Sequence, residues 1–180
     1  MSADQRLADL GLTLPTPTKP MGNYVPFRLA GNLLFLSGVG PRLHDETMIT
    51  GKVGADLTVE QAYEAAKLCG LNLLVNMIAA VGTLERVDTV LKVLGMVNAV
   101  ESFGDQPKVI NGFSDLMVEV FGENGRHARS AVGMGSLPAG IPVEIEMILE
   151  LNSPASAPAP KKAARSARPA KAKKAAKRRR

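Results

Sequence analysis

Arg129 is the side chain in this sequence best suited to recognition chemistry. A guanidinium is planar, keeps its charge, and presents a fork of N–H donors that fits a carboxylate through two parallel hydrogen bonds. Further along, Glu144, Glu146 and Glu150 share parity in an alternating stretch. A carboxylate there could serve as a general base. Each feature also has a plainer reading. Arg129 could form a surface ion pair with Glu146 or Glu150, and the glutamates could be a solvated strand face. Tyr24 could wall a small pocket and offer its hydroxyl, or belong to a core or interface. Ser37-Gly38 ends a strand, where glycine lets backbone approach a ligand; the alternative is a plain turn. His44 and His127 lack the spacing and companions of a metal site. His127 reads as a loop residue beside Arg126 and Arg129, with a place next to the pocket as the alternative. The glycines Gly38, Gly40, Gly51 and Gly54 lack the Lys-Ser/Thr of a phosphate loop. Cys69 reads as a buried small hydrophobe.

The elements that must position these residues follow from patterning. Residues 3–10 suggest a short helix, and 12–20 carry three prolines in an extended lead-in. Tyr24–Ala30 and Leu33–Ser37 are strand candidates around a tight Gly31-Asn32 turn. A Gly-rich connection spans 38–57. Thr58, with Gln61 three residues on, is a capping box that opens a helix ending near Ala80 to Gly82. Val87–Val100 is apolar and β-branched, hence a strand. Pro107–Val120 reads as a second helix. Ala128–Ser136 and Pro142–Leu151 are expected to form a closing pair of strands around the turn 137–140. The order ββ–α–β–α–ββ, with hairpins at both ends, implies an α+β sheet with both helices on one face.

Charge divides the chain. Residues 161–180 hold eleven Lys/Arg and no acid, out of 22 Lys/Arg and 17 Asp/Glu in all. The remainder therefore carries eleven basic residues against all 17 acids, a formal charge near −6. The expected organisation is a lead-in over 1–20, one folded domain over 21–152 and a separate segment over 153–180. That last segment begins as a Pro/Ala/Ser linker and ends as a polycation with no large apolar residue, too polar to bury a core. Such a segment suits sequence-independent nucleic-acid binding through phosphates; without aromatics it does not suit base stacking. One cysteine excludes an intrachain disulfide and fits a reducing compartment. No apolar leader or uninterrupted membrane-length run is seen, so a cytoplasmic protein without membrane partner is expected.

Residues 128–146, ARSAVGMGSLPAGIPVEIE, resemble the C-terminal signature of the RidA/YjgF family: an Arg opening a strand (Arg129), a Leu-Pro turn (Leu137-Pro138), then Val143-Glu144-Ile145-Glu146. Gly22-Asn23-Tyr24 and Phe35-Leu36-Ser37-Gly38 fit N-terminal features of the same family, and Asn111 falls near its helix asparagine. The resemblance implies a chorismate-mutase-like α+β fold, a homotrimer with pockets between subunits, and hydrolysis of imines or enamines of amino acids to 2-keto acids and ammonia, with no cofactor. Other members are called L-PSP endoribonucleases. By resemblance Arg129 would clamp the carboxylate of a small 2-imino or 2-keto acid, Glu144 would position the attacking water, and Tyr24, Ser37, Gly38, Asn111 and Ala131 would line the pocket. Val39 stands where many members have Gln, and Ala131 where many have Cys, which makes this pocket less polar. The alternative is a non-catalytic trimer that binds a small ligand or delivers its basic tails to DNA or RNA. RNA cleavage itself lacks a His pair or metal set in the sequence.

If 128–136 and 143–151 form a simple hairpin, residue 144 faces about residue 135, and Arg129 lies roughly 20 Å away. Arg129 and Glu144 then meet only through a different strand pairing or a second subunit.

Overall fold

The computed structural model describes residues 1–17 and 22–153. The end of the lead-in and the basic segment expected over 153–180 lie, apart from Ser153, outside the described residues. Helix α1 (Ala3–Asp9) is capped by Ser2 Oγ, which accepts from the Gln5 amide. Then come β1 (Phe27–Ala30), β2 (Leu33–Val39), α2 (Val59–Val81), β3 (Val87–Asn98), α3 (Gln106–Phe121), β4 (Ala128–Met134) and β5 (Val143–Leu151). The five strands form one mixed sheet in the order β1-β2-β5-β3-β4.

Local signals account for most boundaries. Thr58 and Gln61 exchange both capping-box bonds at the start of α2, and Gly82, at φ 90°, ends it in a conformation that favours glycine. The first strand starts at Phe27, not Tyr24, because Pro26 lacks the N–H that a ladder needs. The second runs two residues beyond Ser37, and the third stops at Asn98. Although α2 has 23 residues and is apolar enough to cross a membrane by length and composition, it is a core helix here. Leu73, Leu74 and Met77 are fully buried, and Asn72 Nδ2 donates to the Arg42 carbonyl in the connection that covers the helix.

The expected C-terminal hairpin is not formed. β4 runs parallel to β3, with Val93 opposite Arg129 and Val97 opposite Gly133. β5 instead lies antiparallel between β2 and β3. Side-chain content explains the exchange. In β5, Val143, Ile145, Met147, Leu149 and Leu151 are all buried, and only a central strand covered by helices can bury such a face. β4 (ARSAVGM) offers little apolar bulk and has no fully buried residue, so it takes the edge. Its parallel pairing requires a long crossover, which α3 supplies.

The helices α2 and α3 share one face of the sheet. A Cβ at Gly95 would strike the Ile110 side chain of α3, and Cys69 Sγ of α2 lies 3.7 Å from the Val143 carbonyl. The other face stays open. It carries Phe35 and Val132, both over one-third exposed, with Lys92, Ser130, Glu144 and Glu146 interspersed.

Candidate functional site

Arg129 sits near the start of the edge strand and faces α3. Its Nη1 donates to Asn111 Oδ1 at 3.0 Å and to Ser114 Oγ at 2.9 Å, and its Nη2 donates to the Pro107 carbonyl at 3.3 Å. Helical spacing places Pro107, Asn111 and Ser114 on one side of α3, so one helix face holds one guanidinium. Three of its five N–H groups are thereby used. The Nε–H and the second Nη2–H have no acceptor among the described residues, and Arg129 has no ion-pair partner there. These two donors form the side of the fork that grips a carboxylate. Partial burial weakens the hold of Arg129 on its proton and nearby Asp115 strengthens it; an arginine stays charged through such effects. The surface ion pair with Glu146 or Glu150 is not formed, because those residues lie across the sheet.

Asn111 therefore meets Arg129, and Ala131, two residues along β4, shares its face and packs on the core. Glu144, Ser37 and Gly38 form a second group on the open side. A Cβ at Gly38 would collide with the Glu144 Oε1, so the carboxylate lies directly on the Gly38 backbone. Burial first and Glu146 second raise the pKa of Glu144 from its ordinary value. A half-buried carboxylate with raised proton affinity is a better base than a solvated one. Ser37 turns its hydroxyl away to the Val25 carbonyl at 2.7 Å. Tyr24 is 55% exposed in the bend before β1.

Strand register decides how the two groups relate. Arg129 is opposite Val93, and Val93 is opposite Met147. Glu144 is opposite Met96. Paired residues share a face and successive residues alternate, so Arg129 and Glu144 project to opposite sides of the sheet. Two broad concavities flank them. One, about 540 Å³, lies on the open face against Phe35, Ser37, Lys92, Ser130 and Glu146. The other, about 640 Å³, lies against Lys52, Val100, Phe103, Gln106 and Met134. Neither is lined by Arg129 or Glu144. The Lys52 ammonium donates to Asn98 Oδ1 at 2.6 Å and to the Gly135 carbonyl at 2.8 Å, which ties the ends of β3 and β4 together.

Ser114 and His127 were not singled out as site residues by sequence reading. His127 is in the loop before β4, as expected, yet its Nε2 lies 3.1 Å from Ser114 Oγ. The available signal was spacing: His127 and Arg129 are two apart at a strand start, and Asn111 and Ser114 are three apart on a helix.

The same fold occurs in known proteins. The family model described as "YjgF/chorismate_mutase-like, putative endoribonuclease" matches residues 4–144. Protein TCP17 of Trypanosoma cruzi is 44% identical over 148 residues, covering 82% of this chain and 92% of that protein. The structure of Atu1372 from Agrobacterium tumefaciens, described as of unknown function, is 44% identical with a TM-score of 0.75 over 83% of this chain and 94% of that one. A Shewanella oneidensis structure described as "a putative endoribonuclease" is 34% identical with a TM-score of 0.81, covering 84% of this chain and all of that one. With a matching family model over most of its length and relatives at this identity, the chain belongs to the YjgF/chorismate-mutase-like family.

Proposed function

We propose that this protein hydrolyses imines or enamines derived from small amino acids, releasing a 2-keto acid and ammonia. The observation that carries the reading is the unpaired guanidinium of Arg129, with three N–H groups held by α3 and two left open. A 2-imino acid presents a carboxylate beside its reactive carbon. Fixing that carboxylate sets the orientation of the C=N bond at no further entropic cost. Water then adds to the carbon and the carbon–nitrogen π bond opens onto nitrogen. The tetrahedral adduct collapses to the keto acid as the carbon–nitrogen σ bond breaks, and ammonia leaves carrying both protons that water supplied. Glu144, half-buried and raised in proton affinity, suits the task of orienting or deprotonating that water.

Because Arg129 and Glu144 leave opposite faces of the sheet, this reading needs a second copy of the chain. The open face of one copy would meet the β4 edge of the next, as in the homotrimer that the family resemblance implies. Each pocket would then combine Arg129, Asn111 and Ala131 of one copy with Glu144, Ser37 and Gly38 of its neighbour. The decisive assay follows 2-keto acid and ammonia release from a freshly generated imino acid, with and without the protein. Wild type is expected to accelerate release and Arg129→Ala is not; equal rates for the two remove the reading.

A further inference from the structure

We propose that His127 is a positioning residue for the Arg129 grip and acts on it through Ser114. The proposal rests on the carboxylate reading above and shares one contact with it, Ser114 Oγ to Arg129 Nη1; the contacts of His127 itself, to Ser114 and Gly125, are additional.

The chain of hydrogen bonds has one consistent polarity. His127 Nδ1 lies 2.7 Å from the Gly125 carbonyl. A carbonyl can only accept, so Nδ1 carries the hydrogen. In the neutral ring Nε2 is then the acceptor, and it takes the hydroxyl hydrogen of Ser114 at 3.1 Å. With that hydrogen turned toward His127, Ser114 Oγ presents a lone pair to Arg129 Nη1 at 2.9 Å. His127 thus decides which way the Ser114 hydroxyl points, and Ser114 decides where one arm of the guanidinium rests. The imidazole is itself fixed by Phe113, whose ring meets it edge-on at a centroid distance of 5.7 Å and an angle of 67°.

The surroundings keep this relay neutral. Burial, and after it the positive charge of Arg129, lower the proton affinity of His127, while the Gly125 bond partly offsets them. Charged groups on the packed elements are otherwise engaged. Asp115 on α3 takes the Tyr63 hydroxyl, Glu123 and Arg126 in the preceding turn pair at 2.9 Å, and Lys92 on β3 donates to Ser130. Protonated His127 would place a second cation beside Arg129. Ser114 Oγ has two lone pairs and could accept from both, so the grip would survive while repulsion rises. An anion bound at Arg129 offsets that repulsion, and linkage is reciprocal: acid favours the anion and the anion favours the proton.

The test uses the full chain, pyruvate as probe, and calorimetric titration between about pH 5 and 8, where an imidazole changes charge. Wild type is expected to bind pyruvate more tightly as pH falls through the His127 transition. His127→Gln keeps an acceptor for Ser114 but cannot titrate. It is expected to hold wild-type affinity at neutral pH within about twofold and to lose the acid enhancement. His127→Leu removes the acceptor and is expected to weaken binding by up to about tenfold, the upper size of one neutral hydrogen bond. Nitrogen-15 spectra of His127 should show the hydrogen on Nδ1, and the Arg129 guanidinium signals should broaden in His127→Leu. Wild-type affinity in His127→Leu at every pH, or the hydrogen on Nε2, overturns the proposal. If Arg129→Ala binds pyruvate as well as wild type, the carboxylate reading fails instead. The guanidinium signals then still decide whether His127 positions Arg129.

Discussion

Arg129 and Glu144 project from opposite faces of one sheet, Arg129 toward α3 and Glu144 toward the open side over Gly38. The register that fixes this runs unbroken from Val93 opposite Met147 to Val97 opposite Val143. No single chain can therefore bring both groups to one small substrate, and the proposed chemistry depends on how copies of the chain meet.

Complementation between inactive variants follows directly. Arg129→Ala and Glu144→Gln are each expected to be inactive alone. Mixed in equal amounts in the proposed cyclic trimer, they would generate some interfaces with an intact Arg129 from one copy and an intact Glu144 from its neighbour. About a quarter of wild-type activity is expected. Recovery of none would place the two residues in separate sites.

The shape of the donor fork matters as much as its charge. Arg129→Lys keeps the charge but loses the planar geometry that bonds Asn111, Ser114 and Pro107 together. A lysine cannot reproduce a bidentate grip. We expect Arg129→Lys to weaken 2-keto acid binding by 10-fold or more, about 1.5–3 kcal/mol, with thermal stability changed far less. Titration calorimetry beside a melting curve separates the two effects.

Glu144 gives the stability curve a defined sign. Its folded-state pKa is raised by burial and by Glu146, so the folded chain holds that proton more tightly than the unfolded chain. Stability from this group falls as pH rises from the ordinary carboxylate range through the raised value, and the cost is complete above it. Glu144→Gln is expected to be more stable than wild type at neutral pH and to lose this slope, while activity is lost. Urea unfolding from acid to neutral pH measures it. A less stable variant at neutral pH would contradict the burial argument.

Close backbone approach between the helices supplies a stability prediction independent of function. A Cβ at Gly112 of α3 would collide with the Tyr63 carbonyl of α2. Backbone on both sides cannot yield as a side chain can. Gly112→Ala is expected to cost about 1–3 kcal/mol as an overpacked contact, although alanine is the better helix former. Gly104→Ala meets nothing within 4 Å and serves as the control. Melting temperatures of the two variants decide the matter.

The basic segment is expected to act independently of the pocket. Eleven Lys/Arg without an acid in residues 161–180 should confer duplex DNA binding that falls steeply with salt. Truncation after Ser153 is expected to abolish that binding and to leave imine hydrolysis unchanged. Salt-dependent binding that survives truncation would assign it to the folded part.

Much of this protein was legible in its residues because the relevant forces are local. The capping box at Thr58, the β-branched run of β3, the helical period of α3 and the alternation of β5 placed the long elements. The family signature pointed to Arg129 and Glu144 before any coordinates. Strand pairing was not local. Leu137 to Gly140 looks like a turn between two neighbouring strands, yet β5 buries an apolar face on alternate residues and needs the centre of the sheet. β4, with small residues, is left for the edge. That competition for burial separates consecutive strands, sends Arg129 and Glu144 to opposite faces and sets Arg129 against Asn111 and Ser114. The His127 relay follows from the same placement, since only the packing of α3 on β4 brings a loop imidazole within reach of a helix hydroxyl. Sequence determined which side chains could do chemistry; tertiary structure decided which of them share a surface, because burial is settled over the whole sheet at once.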